Sequence, residues 1–345
     1  MGLPVPRIGA LPSGARDAIT DVAGVTVGHA TLADGDVQTG VTVVRPHAGD
    51  PYLQRVPAGF AVLNGFGKSI GLVQVEELGV LETSIALTNT FSVPAVAAAQ
   101  IRQCVAANPE CGRSLPTVNP LVFECNDGHL NDIQRMAVTE ADYLRAWSTA
   151  GDEVSQGAVG AGRGMSSFGL KGGVGSASRR AAIGASTFTV GALVLANYGR
   201  PEQLTVAGQA WGARLADVLG APDGGPEKGS IIMLLATDAP LDARQLRRLA
   251  LRAGAGLART GSVFGHGSGD IALAFSTAHT VPQRADAPMP VVTLLHDVLL
   301  DPLFQAAADS TEQAILHALW HAETVIGRNG HVRHALRDVR LLPTN

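Results

Sequence analysis

The chain has 345 residues, 46% hydrophobic and only 16% charged, with a net charge of −4, against about 25% charged in average domains. This composition supports a large core, and the acidic balance argues against nucleic acid as an electrostatic partner. Three cysteines without a CxxC argue against disulfides or structural zinc, and neither a signal pattern at Met1-Gly2-Leu3-Pro4 nor an apolar run near the roughly 18 residues of a membrane span is present, which reads as a cytoplasmic protein.

Residues 17–29 and 39–44 have the pattern of short strands with glycine turns between them, and 60–66 is a third apolar strand ending in Asn64-Gly65-Phe66-Gly67-Lys68-Ser69. The Gly-Lys-Ser is not a P-loop, because the first glycine of that motif would fall at Val62. Gly71 to Leu81 and Val93 to Ala106 have helical composition, with a Thr/Ser-rich strand at 83–92 between them.

Leu121 to Cys125 predicts a strand running into an Asn126-Asp127-Gly128 turn, followed by a helix over Asp132–Ser148 with Ile133, Met136, Ala137 and Tyr143 inward. Glu124 has two readings: a strand-end carboxylate that holds an ammonium by charge-assisted bonds, or a plain surface acid. The glycine-rich segments 157–164 and 171–176 do not fit the G-x-G-x-x-G spacing, so no dinucleotide cradle is expected. The β-rich run 186–196 ends at Asn197-Tyr198-Gly199, where the Asn amide either donates to an oxyanion or caps a turn.

The sharpest change of character follows. Gly224-Gly225-Pro226-Glu227-Lys228-Gly229 reads as an exposed loop. From Ile231 to Ala236 the chain is apolar without a break, as in a strand buried on both faces. Ser230 sits at the join. Cleavage of the Gly229–Ser230 peptide would place a free α-amine, with an ordinary pKa of about 7.7–8.0, on the same residue as a hydroxyl that needs a base to become nucleophilic. The plainer reading is a serine that caps a turn.

Thr237-Asp238-Ala239-Pro240 predicts a helix start with Asp238 as N-cap, and Leu241–Ala258 an amphipathic helix. Gly265-His266-Gly267-Ser268-Gly269-Asp270 leads into a strand at 271–276 and either aims two polar side chains into a cleft or is a tight turn. A last helix is expected over 309–325, with Asp309-Ser310-Thr311-Glu312 as a capping-box-like start. His317 and His321 at i, i+4 lack a third ligand nearby and read as a helix-surface pair, not a metal site. No linker divides the chain, so 1–345 is read as a single domain with 222–229 as a cleavage site inside it.

Taken together, these blocks resemble the DmpA/BapA family of L-aminopeptidase D-Ala-esterase/amidases and β-peptidyl aminopeptidases. The likeness rests on Ala18-Ile19-Thr20-Asp21-Val22 with Val27-Gly28-His29, Asn126-Asp127-Gly128 with Leu130-Asn131-Asp132, and Gly160-Ala161-Gly162 with Lys171-Gly172-Gly173-Val174-Gly175. It continues in Gly229-Ser230-Ile231-Ile232, Ala236 to Leu241, Gly267-Ser268-Gly269-Asp270-Ile271 and Thr311-Glu312 with Ala314-Ile315-Leu316. The resemblance implies an α+β, four-layer αββα sandwich of the DmpA/ornithine acetyltransferase-like type, and self-cleavage between Gly229 and Ser230 into chains 1–229 and 230–345.

It also implies a serine aminopeptidase/amidase with Ser230 as nucleophile, Ser268 and Asp270 as the serine–acid pair that helps deprotonate it, and Asn197 in the oxyanion hole. Glu124 would receive the substrate's free amine. Asn126 stands where some members have tyrosine and is carried as a substrate-binding position. The implied substrates are small peptides or amino-acyl amides and esters with a free N-terminal amine, acted on without cofactor or metal by a homo-oligomer, a tetramer or octamer of αβ units. Competing readings are an ornithine acetyltransferase-like acyltransferase, whose nucleophile is usually Thr, an ordinary serine hydrolase using Ser268, whose surroundings are not the G-x-S-x-G elbow, and a non-catalytic binding relative.

Overall fold

The computed structural model describes residues 4–220 and 229–339. The loop expected at Gly224–Lys228 lies outside the described residues, whereas Gly229 and Ser230 lie inside them. In chain order the principal strands are β1 (Thr26–Asp34), β2 (Val37–Arg45), β3 (Gln54–Gly65), β4 (Ile85–Asn89), β5 (Leu121–Cys125), β6 (Gly173–Ile183), β7 (Ser186–Asn197), β8 (Ser230–Thr237) and β9 (Gly269–Ser276). The helices are α1 (Leu72–Leu78), α2 (Val93–Ala107), α3 (Glu140–Ser148), α4 (Gly212–Leu219), α5 (Ala243–Arg259) and α6 (Asp301–Trp320).

β1, β2, β4 and β5 form one sheet in that order, and β3, β9, β8, β7 and β6 run across a second. Each layer is explained by where its apolar side chains go. On β8, Ile231, Met233 and Leu235 pack with Leu246 and Leu249 of α5 and Ile315 of α6. The alternate residues Ile232 and Leu234 meet Leu87 and Phe123 of the first sheet. On the far side of that sheet, Val41, Val43 and Val122 pack with Val96 of α2 and Tyr143 of α3. Three apolar layers therefore separate four structural ones, and the fold is the αββα sandwich. A strand in the middle is apolar on both faces, which is why Ile231–Ala236 shows no alternation.

Two of the outer helices, α3 and α6, close on their sheets over a glycine. A Cβ at Gly28 would fall 2.0 Å from the Ala146 carbonyl of α3, and one at Gly175 would fall 1.9 Å from the Ala314 carbonyl of α6.

Several helix starts differ from the expectation. Residues 133–135 make a single 3-10 turn, Met136 has φ 46° and is 62% exposed instead of inward, and α3 begins only at Glu140. The start is set by Asp142, whose carboxylate accepts from the Thr139 N–H at 2.8 Å. The N-cap of α5 is Asp242, not Asp238: it accepts from the Gln245 N–H at 2.7 Å, and Gln245 accepts in return from the Asp242 N–H at 3.1 Å. Asp238 instead accepts from the Thr189 N–H of β7 at 2.7 Å. The last helix starts at Asp301, so Asp309 and Glu312 are mid-helix, facing Arg259 of α5 at 2.7 and 3.5 Å. His317 is not a plain surface residue, since its Nδ1 lies 2.7 Å from the Ser176 carbonyl of β6.

Candidate active site

β8 and β9 are parallel and joined through α5, so both begin at the same end of their sheet. Their antiparallel neighbours β7 and β3 end there. The register places Asn197, the last residue of β7, opposite Ser230, the first of β8. Ser230 pairs in turn with Gly269, and Asp270 with Asn64. Residues far apart in sequence thus meet along one line at the mouth of the sandwich.

Ser230 is buried, and its hydroxyl donates to the Gly229 carbonyl at 2.7 Å and accepts the Gly269 N–H at 3.1 Å. The hydroxyl therefore rests against the peptide that precedes it. Gly229 itself has no room for a side chain: a Cβ there would lie 2.7 Å from both the Asn197 carbonyl oxygen and the Tyr198 Cα.

Ser268 and Asp270 flank Gly269 and are both buried, and the Ser268 hydroxyl donates to Asp270 Oδ1. The β9–β3 register shifts between Asp270 and Ile271. The extra residue is Leu63 of β3, since Asn64 pairs with Asp270 and Val62 with Ile271, and a bulge of this kind bends the strand that carries it. Asn64 fixes the turn leading into β9, donating to the Gly265 carbonyl at 2.8 Å.

From the other sheet, the end of β5 supplies Glu124. Its carboxylate is buried, accepting from the Lys68 N–H at 2.8 Å and from the Thr90 hydroxyl. The space over Gly67 joins the two sheets, a Cβ there lying 3.7 Å from Glu124 Oε1 and 3.8 Å from the Gly269 Cα. The buried acid is thus no surface residue. Asn126 is exposed; its side chain accepts from the Gly128 N–H at 2.9 Å to close the turn, and its carbonyl accepts from Asn197 Nδ2 at 3.0 Å. Asn197 Oδ1 accepts from the Ser166 N–H at 2.8 Å, which fixes the orientation of the amide.

The electrostatics exclude one further nucleophile. Cys125 is buried next to Glu124, and burial, then the Glu124 and Asp270 carboxylates, push its thiol well above the usual range. A thiol kept protonated is inert. Asp127 is also fully buried, and desolvation raises its carboxyl to about 7 despite bonds from Thr39 and Asn131.

Groups that act through their backbone or through short side chains carry no signal in the sequence pattern. Lys68, Thr90, Gly67 and Ser166 belong to the site's framework, yet Gly67-Lys68-Ser69 stands out in the sequence only as a failed P-loop. Among the described residues no group of three or more His, Cys, Asp or Glu is placed to hold a metal ion, and no helix is long and apolar enough to cross a membrane.

Comparison with known proteins bears on the fold and the family. The model of peptidase family S58 matches residues 17–333. The β-peptidyl aminopeptidase BapA of Sphingosinicella microcystinivorans is 39% identical, over 95% of this chain and 87% of its own. The crystal structure of the PH0078 protein from Pyrococcus horikoshii superposes with a TM-score of 0.91 at 46% identity, covering 96% of this chain and 94% of that one. The L-aminopeptidase D-Ala-esterase/amidase of Ochrobactrum anthropi, described as a prototype for the serine aminopeptidases with a variant N-terminal nucleophile hydrolase fold, superposes with a TM-score of 0.89 at 37% identity, over 97% and 94% of the two chains. A fold, a buried serine at the head of a core strand and these relatives lead to one conclusion: the chain belongs to peptidase family S58 and is an aminopeptidase/amidase of the serine N-terminal nucleophile type.

Proposed function

We propose that Ser230 is the nucleophile of this enzyme and that it is freed by self-cleavage of the Gly229–Ser230 peptide, so that one domain comes to consist of chains 1–229 and 230–345. The observation that carries the reading is the Ser230 hydroxyl, bonded to the Gly229 carbonyl at 2.7 Å and accepting the N–H of Gly269, the residue that separates Ser268 from Asp270 in the chain. In processing, Ser230 Oγ attacks the Gly229 carbonyl carbon while its proton passes through Ser268 toward Asp270. The C–N bond then breaks as the nitrogen takes a proton, which leaves an ester. Water hydrolyses the ester to the Gly229 carboxylate and restores the Ser230 hydroxyl, now beside its own α-amine.

In turnover the ammonium of a peptide, amino-acyl amide or ester docks on Glu124, which limits attack to the first carbonyl. Ser230 adds to that carbonyl, with its amine or the Ser268–Asp270 pair taking the proton. Asn197 donates to the oxyanion, a contribution of roughly 10²–10³ in rate per donor. Asn126, two residues after Glu124, holds one Asn197 N–H through its carbonyl. The amine leaves with a proton, and water releases the amino acid from the acyl-enzyme. No step calls for a metal or cofactor. The low charged fraction supports assembly of αβ units into a tetramer or octamer, and three buried free thiols support a reducing, cytoplasmic setting.

Intact mass under denaturing conditions tests the core of this reading. Two chains of 229 and 116 residues (345 − 229) are expected from the 345-residue product. A single 35.5 kDa species, or cleavage that persists in Ser230→Ala, would overturn it.

A further inference from the structure

We infer that Lys171, which touches no part of the substrate path, is the positioning residue of the oxyanion hole, acting through the Met165–Ser166 peptide on the Asn197 amide. The inference rests on the assignment of Asn197 as oxyanion donor. Lys171 is fully buried, and its Nζ lies 2.7 Å from the Gly162 carbonyl, 2.7 Å from that of Met165 and 2.9 Å from that of Gly172. Three acceptors need three N–H groups, and only the ammonium has them. Burial and the nearby Arg163 pull its pKa well below the ordinary value, Asp127 and Glu323 oppose this, and the three carbonyls favour the charged form as well.

One of these three bonds differs in its consequence from the others. The Met165 carbonyl and the Ser166 N–H are two ends of one peptide plane. The carbonyl end is held by Lys171 and also accepts the Gly172 N–H at 3.0 Å; the N–H end donates to Asn197 Oδ1 at 2.8 Å. A cation on the carbonyl oxygen polarises the whole peptide, strengthens the N–H as a donor and passes that polarisation along the chain of bonds. It also settles which way the Asn197 amide faces. With Oδ1 committed to Ser166, both Nδ2 hydrogens point the other way. One goes to the Asn126 carbonyl at 3.0 Å, and the second remains for the mouth where Ser230 begins β8.

The glycines of this segment serve the same geometry. A Cβ at Gly172 would lie 2.3 Å from the carbonyl of Ala196, the residue before Asn197. The Lys171 loop is therefore pressed against the strand end it orients. A lysine used only to fill the core would have no reason to address this particular peptide.

The test is a double-mutant cycle of Lys171→Met with Asn197→Ala, with kcat expressed per mole of chain carrying a free Ser230 amine so that processing and turnover are separated. Lys171→Met should lower kcat about tenfold or more with KM changed by less than about twofold, and should lower it no further once Asn197 is alanine. The same loss in both backgrounds, or no loss in the first, would overturn the inference by showing a general structural role or none. Asn197→Ala with undiminished kcat would instead refute the oxyanion reading beneath it. Should Lys171→Met not fold, Lys171→Gln, which keeps two donors but no charge, is carried through the same cycle, where the same losses support or overturn the inference.

Discussion

Tyr198 stands against Gly229 so closely that a Cβ on the glycine would fall 2.7 Å from the tyrosine Cα. The Asn197 carbonyl oxygen is equally close. Both obstacles are backbone atoms of a core strand end, and neither can rotate away. The residue that supplies the carbonyl of the proposed cleavage is thus confined by β7, and the Ser230 hydroxyl is held on that carbonyl. Gly229→Val should displace this peptide and slow self-cleavage by at least about tenfold, a barrier change of roughly 1.4 kcal/mol. A time course of the 229- and 116-residue chains on denaturing gels would show it. Cleavage at the original rate would mean the peptide reacts from a different arrangement.

Glu124 offers a buried carboxylate already held by the Lys68 N–H and the Thr90 hydroxyl, so its position is fixed before substrate arrives. Glu124→Gln keeps the shape and removes the charge. Charge-assisted hydrogen bonds contribute about 1.5–3 kcal/mol, so kcat/KM for substrates with a free amine should fall about 10–150-fold, with N-acetylated analogues little changed. Steady-state kinetics on the paired substrates decide the matter, and equal losses on both would remove the ammonium role.

Asp127 makes stability depend on pH. Its folded pKa of about 7 lies above the ordinary 3.8 because burial disfavours the charge, so the folded protein binds this proton more tightly than the unfolded chain. The stabilising contribution is complete below about 3.8 and is lost as pH rises through about 7. At 1.36 kcal/mol per unit the loss is on the order of 4 kcal/mol. Asp127→Asn retains an acceptor for Asn131, which donates to Oδ1 at 3.0 Å. The variant should therefore lose less Tm than the parent between pH 5 and pH 8.5. Parallel pH–Tm curves for the two proteins would show that Asp127 does not titrate in this range.

By itself the sequence determined the elements whose signals are local. The unbroken apolar run after Ser230 reads as a strand covered on both faces, and the Gly–Ser junction, the Asn126-Asp127-Gly128 turn and the Gly-Ser-Gly-Asp approach to β9 are each marked by neighbouring residues. The same ordered motifs disclosed the family and with it the αββα layering. Tertiary structure decided everything that depends on pairing across distance. The register that sets Asn197 opposite Ser230 joins strands with α4 and the Gly229 junction between them, and the space over Gly67 joins β5 to β9. The helix starts moved for a related reason: Asp238, Asp309 and Glu312 are good capping residues locally, but partners on other elements claim them. Lys68 and Ser166 stayed hidden because they work through peptide N–H groups, which every residue but proline possesses and only the folded chain aims, and Lys171 because the three carbonyls its ammonium holds come together only in the fold.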